Sequence, residues 1–492
     1  MTQGELEKIP LKISGIFSDL EIRIMTDIVR RIRENVFSTA SADWQITRMQ
    51  QLGKSEKEIR QWIKQALKAS DAEIEQIFSD NVYEQYYGHA RAYKIAGMQQ
   101  IPFDDNESLQ ELIEAAKKQI SGEYRNLAGS MGFALRGADG KITYSPLMDF
   151  YRSTMDNAVI DIHSGAFDYN AVLKRTVNQM AASGLRWVDY DSGHRNRIDV
   201  AARRALMTGF RQVQGLINEQ VAADLGTDSY EVTYHIGARP THQPWQGRVW
   251  TKQQLIDVCG LGTVTGLHGA NCYHDYNAFV PGASVRTYTD EELERMMAEE
   301  NMPKVYAGKE YTTYEALQQQ RKMETAMRAT RQKIKLLQEG GAPDADVILQ
   351  KAKYQGQMQN YKDFSQKMKL PEQMKRVYQD ELGTVGKGVS YSLKNAAGKG
   401  IIEVDKIKLK GIPGSITQKT GRQGGVERNY YGLDGRQEKQ VCNNNHGNAK
   451  AHPFGKHGEH AHDYIYDDDG KLMDRPIREL SEEERKENED IL

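Results

Sequence analysis

Cysteine is nearly missing from this chain. Only Cys259, Cys272 and Cys442 occur in 492 residues. An odd count at such wide spacing excludes a disulfide framework and fits a reducing compartment. Long apolar runs are missing too. No stretch of about 18 apolar residues occurs and no apolar segment follows the N-terminus, so neither a membrane span nor a secretory leader is expected. Hydrophobic residues make up 39% of the chain and the mean hydropathy is -0.70. That argues against one large enzyme core and for several small cores with long solvated helices. The Gly-x4-Gly-Lys-Ser/Thr phosphate loop and the Gly-x-Ser-x-Gly nucleophile elbow are both lacking.

The charge is uneven. The net formal charge is -2. Yet Pro303 to Gln440 holds 26 Lys and Arg against 15 Asp and Glu, a net of +11. Asp463 to Leu492 holds 5 against 12, a net of -7. A basic middle and an acidic end imply contact with a polyanion, or with each other.

At about 150 residues per domain the length implies roughly three domains. Residues 1–132 read as helices, with Leu20, Met25, Ile28, Val29 and Ile32 near helical spacing. Ser-x-x-Glu pairs at Ser55–Glu58 and Ser70–Glu73 read as helix starts. Residues 133–290 form a core that is helical first and then breaks, after Glu231, into short extended pieces. Thr289–Glu292 and Thr312–Glu315 are further capping boxes. The second opens a polar helix that ends at Gly340-Gly341-Ala342-Pro343 and is followed by another, an extended helical hairpin within 291–382. Residues 383–421 read as a linker or small β element, and 422–492 as a His-rich module ending in a Ser481–Glu484 box. The expected fold is mainly α with a small α+β core, in several domains.

Three constellations carry chemistry. His242, His268, Cys272 and His274 have the residue types and close spacing of a four-ligand zinc site. The alternative is hydrogen bonding within a loop-rich core. In the C-terminal module, His457, His460, His462 and Asp463 suit a divalent metal that generates hydroxide, as a small nuclease needs. A structural or pH-sensitive role is the alternative. Arg195, Arg197, Arg203 and Arg204 crowd the start of a helix. They suit nucleic-acid phosphates, or else a salt-bridged helix face.

Several of these segments resemble a family. Gly193 to Gly209, Gly237-Ala-Arg-Pro-Thr-His-Gln-Pro-Trp-Gln-Gly247, Gly269-Ala-Asn-Cys-Tyr-His274 and Phe279-Val-Pro-Gly282 resemble the phage minor capsid protein 2 family. Its wider relatives are the Mu-F-like head morphogenesis proteins. Ala42 to Gly53 and Tyr306 to Tyr311 add to the likeness, which spans about residues 10–380. Two positions depart: His268 stands where the family usually has Cys, and Tyr273 where it usually has Arg. The resemblance implies a virion protein rather than an enzyme. It would sit inside the capsid at the portal vertex and pass through the host cytoplasm during assembly. Its partners would be the portal protein, the major capsid protein and packaged DNA, with no membrane. No cofactor is required, although zinc or another divalent metal fits. The alternative reading makes the C-terminal module a capsid-borne effector, such as a metal-dependent nuclease.

Overall fold

The computed structural model describes residues 3–37, 44–137, 139–163, 166–188, 195–385, 390–394, 400–404, 406–411, 415–421, 424–432, 436–467 and 471–492. Gly193 and His194 of the family-like segment lie outside them. The chain divides into two compact units. One comprises Met1–Ala329 with Lys362–Leu382, the other Thr330–Tyr361 with Gly383–Leu492.

Helices dominate the first unit. Leu11–Phe37 buries Ile13, Phe17, Leu20, Ile24, Ile28 and Ile32, one apolar stripe at helical spacing. Ile198–Asp224 buries Ile198, Ala202, Leu206, Phe210, Val213, Ile217 and Val221 in the same way. It crosses Glu107–Gly129 closely at Gly209, where an added Cβ would meet Ile120 at 2.7 Å. Ser55 and Ser70 do not start helices. Both lie inside the continuous helix Trp44–Gly88. Ser55 is fully buried and hydrogen-bonds Arg31 and Tyr151, whereas Ser70 donates to the Leu67 carbonyl. Their hydroxyls have partners that do not require a helix end. The boxes at Thr289, Thr312 and Ser481 do cap helix starts.

Small antiparallel sheets accompany these helices, two of them beside the candidate sites. Ile142–Pro146, Met131–Arg136, Arg186–Val188 and Arg195–Arg197 form an antiparallel sheet in that spatial order. Val249–Thr251, Ser229–Val232 and Tyr276–Phe279 form a second antiparallel sheet. Tyr230, Val232, Trp245, Leu255, Cys259, Leu267 and Tyr276 pack as the core beside it.

The helical hairpin exists, as Thr313–Glu339 and Asp344–Met368. It is not a free arm. Its base packs Ala316, Phe364 and Met368 against Tyr311 in the first unit. In the second unit its far end buries Ala352 beside Ile348 and Val404, and Arg331 lies buried over the Tyr354 ring. Those covered side chains explain why a polar helix pair folds without a coiled-coil seam.

Residues 383–421 and 422–492 were expected to separate, yet both feed one seven-stranded sheet. Its order is Ser390–Lys394, Gly400–Glu403, Ile416–Thr420, Val426–Tyr431, Gln437–Cys442, His460–Asp463 and Ile477–Arg478. Only the Gly400–Glu403 and Ile416–Thr420 pairing is parallel. Part of the charge asymmetry closes here. Glu484 pairs with Lys439 at 2.9 Å, and Asp490 pairs with the fully buried Arg428.

Candidate metal centres

His242 sits in a succession of tight turns after Val232, and Cys272 and His274 lie just before the strand Tyr276–Phe279. Arg239 ties the two segments by donating to the Ala270 carbonyl at 2.7 Å. Trp245 packs its ring on both His242 and His274, at 4.5 and 4.8 Å between centroids. Gly269 permits the approach, since a Cβ there would lie 2.5 Å from the Thr263 and Val264 carbonyl oxygens.

These residues bring three ligand atoms together. His242 Nδ1 lies 3.4 Å from His274 Nδ1, and Cys272 Sγ lies 3.4 Å from His274 Nδ1 and 3.8 Å from His242 Nδ1. A tetrahedral zinc with bonds of ~2.0–2.1 Å to nitrogen and ~2.3 Å to sulfur has ligand separations of roughly 3.3–3.6 Å. All three side chains are buried. The far nitrogen of each ring has a carbonyl partner. His242 Nε2 donates to the Thr265 backbone oxygen, and His274 Nε2 to Gln246 Oε1, both at 2.8 Å. Those bonds place the protons on Nε2 and leave both Nδ1 lone pairs facing inward. Burial pushes both histidines below their ordinary range, His274 furthest, with His235, His242 and Arg211 acting in the same direction on it. Both are therefore neutral imidazoles, the form that ligates. Burial raises the free Cys272 thiol, against the opposing pull of Arg211. A cavity of about 280 Å³ adjoins the cluster, lined in part by His235, Arg239, Tyr273, Gln318 and Arg321.

His268 does not join them. Its backbone takes φ +60°, and its Nε2 meets Asp275 Oδ1 at 3.1 Å. Asp275 also accepts from Asn218 and from its neighbour's amide at Tyr276. The left-handed turn aims the imidazole at that carboxylate and away from His242.

The second expected quartet also assembles differently. Asp463 is gripped by Arg478 through two bonds of 2.6 and 2.9 Å, and His457 is exposed. In their place Cys442 and His446 come to His460 and His462, with one ligand atom from each of the four within 4.8 Å of the others. Strand register explains Cys442, which pairs directly with His460 across the ladder. The sequence carried only a faint sign of it, a cysteine closing an extended segment ahead of the His-rich loop.

The arginine cluster is largely engaged within the unit. Arg197 makes bonds of 2.9 and 2.8 Å to the two oxygens of buried Glu21 and lies 3.6 Å from Asp199. Its charge is answered inside the fold, so it does not face a nucleic acid. Arg203 donates to the Tyr273 hydroxyl at 2.5 Å. Burial alone would raise that phenol, but Arg203, Arg321 and Arg376 hold it below its ordinary value. An arginine at position 273 would have added a fourth positive charge. Arg204 holds its Nε out of solvent. Arg195 is different: with Arg136 and Arg186 it lines a cleft of about 600 Å³.

The chain is mainly helical with several small sheets, and no described helix is long and apolar enough to cross a membrane. Residues 1–366 match the family described as phage minor capsid protein 2, and the chain belongs to that family. It is thus a bacteriophage virion structural protein whose partners are other phage structural proteins. Neither a curated protein nor a solved structure matches it.

Proposed function

We propose that this protein acts at the portal vertex, inside the head, in head assembly and in packaging or delivery of the genome. The observation that carries the reading is the family match across the whole first unit up to Ala329 and into the hairpin. Mass spectrometry of purified particles tests it. Peptides from 1–290 and from 446–492 are expected at equal copy, far below the major capsid protein and in step with the portal protein. Absence of both regions from particles would overturn it.

Contact with packaged DNA is part of the proposal. The basic stretch Pro303–Gln440 and the cleft of Arg136, Arg186 and Arg195 supply the positive charge. Phosphate contacts release counterions, so DNA affinity should fall steeply with salt. Arg195→Ala is expected to reduce the log–log salt slope by about 1, as removal of one phosphate contact does. A flat response between low and physiological salt would remove the DNA contact from the proposal.

We also propose that His242, Cys272 and His274 bind zinc, which ties the 235–248 turns to the strand that follows His274. Support comes from the separations of the three ligand atoms and from the carbonyl partners that fix both imidazoles.

A further inference from the structure

The tail presents a donor set that head-protein membership leaves without a role. His460 and His462 stand two residues apart on the strand His460–Asp463, so both project from one face. Cys442 pairs with His460 on the neighbouring strand and projects from that face too. His446 reaches the same point from the intervening loop, with its backbone at φ +51°. The Nε2 atoms of His460 and His462 lie 3.1 Å apart. His460 Nδ1 donates to the Gly458 carbonyl at 2.8 Å, so its Nε2 carries a lone pair. This separation is close to the ~3.3 Å edge between two nitrogens of a tetrahedron around zinc. His452 stacks on His460 at 4.1 Å between centroids, and neither of its ring nitrogens has a hydrogen-bond partner although both are buried.

We infer that Cys442, His446, His460 and His462 form a closed structural zinc site that pins the loop 443–459 to the tail sheet. Three observations converge on this. A thiol and three imidazoles are a zinc donor set, and four protein ligands are the mark of a structural site rather than a hydrolytic one. Among the described residues the apolar cluster at these strands is small, Val441, Ala461 and Leu480 with Tyr430 against them, and small cores need a staple. The loop runs for 17 residues without helix or strand, a length that is uncommon unless something organises it. Glu459 already fastens one end, accepting from the Lys456 and His457 amides and pairing with Arg485. The zinc would fasten the other. With all four positions filled by protein, no open position remains for a metal-bound hydroxide, which turns the tail away from the nuclease alternative.

The test uses the full chain. Zinc content is measured by elemental analysis, and cobalt(II) substitution reports a thiolate ligand in a tetrahedral field. Cys442→Ala and His462→Ala are each expected to lose one equivalent of zinc, whereas His457→Ala keeps it. Cys442→Ala should also weaken the thiolate-to-cobalt band. In the unaltered protein, zinc removal should speed amide exchange across 443–459 by about tenfold or more and zinc return should reverse it. This last measurement needs no variant, so a variant that fails to fold leaves the inference testable. Zinc content indifferent to Cys442 and His462, or exchange in 443–459 unmoved by zinc, would overturn it. Neither result would bear on the placement of the protein in the virion.

Discussion

Glu21→Ala is expected to destabilise the first unit by about 3–5 kcal/mol, the cost of leaving a buried charge without its partner. Glu21 is 1% exposed. Its Oε1 accepts from the Leu185 amide at 2.6 Å as well as from Arg197. The network continues through Asp199, whose Oδ2 accepts from Arg328 at 2.8 Å and from Gln379 at 3.0 Å. Burial would raise Asp199, but Arg328 and Arg197 hold it below the usual carboxylate range. It therefore stays charged, but one carboxylate cannot answer two guanidinium groups. Truncating Glu21 also leaves the Leu185 amide without its acceptor. Amide exchange at Leu185 should accelerate by about 10²–10⁴-fold, at ~1.4 kcal/mol per decade. Glu21→Gln keeps one acceptor oxygen and should lose less. The double change Glu21→Met with Arg197→Met removes both partners and should recover much of the loss. A single change that left exchange within about tenfold of the original would mean that the pair is solvated and that the cluster holds nothing together.

That network also shows where the sequence stops being legible. Arg197 stood in a run of arginines that looked like a phosphate-binding face. Its partner Glu21 lies 176 residues away in the chain. Nothing local distinguishes a guanidinium aimed at DNA from one aimed at a distant carboxylate. The same limit applies to Ser55, a serine with the right spacing for a cap and a buried hydrogen-bonding partner in Tyr151 that only tertiary packing supplies. Boxes at chain breaks were legible because the whole device is local. At Thr289, for example, the side chain and Glu292 satisfy one another within one turn.

The candidate centres divide along the same line. Cys272 and His274 are two residues apart and were visible as a pair, and His242 lay in the adjoining distinctive segment. His268 had the right spacing, but a left-handed backbone turn sent it to Asp275. In the tail the alternation His460-Ala461-His462 gave two ligands directly, because strand side chains repeat every second residue. Cys442 required the register between two strands, and register is a property of the folded sheet.

Zinc in the first unit should then behave as an independent tie. The full chain is expected to carry two equivalents, with Cys272→Ala removing one and Cys442→Ala removing the other. Without a cation, the lone pairs of His242 and His274 Nδ1 face each other at 3.4 Å. The single thiol proton of Cys272 can serve only one of them. Protonating a ring is disfavoured, because burial holds both histidines low. A cation resolves this conflict and draws the thiol proton off at the same time. At free zinc a thousandfold above its dissociation constant the stabilisation is about 4 kcal/mol, so zinc removal should lower the unfolding midpoint of the first unit clearly. His268→Gln supplies the discriminating control. It disturbs the bond to Asp275 and should destabilise the unit while leaving zinc content unchanged. Zinc lost from His268→Gln but retained in Cys272→Ala would reverse the ligand assignment. Zinc absent from the unaltered first unit would overturn the assignment. A cation would give both Nδ1 atoms and the sulfur a partner at once, and the carbonyls of Thr265 and Gln246 hold the two rings in the tautomer that such a cation needs.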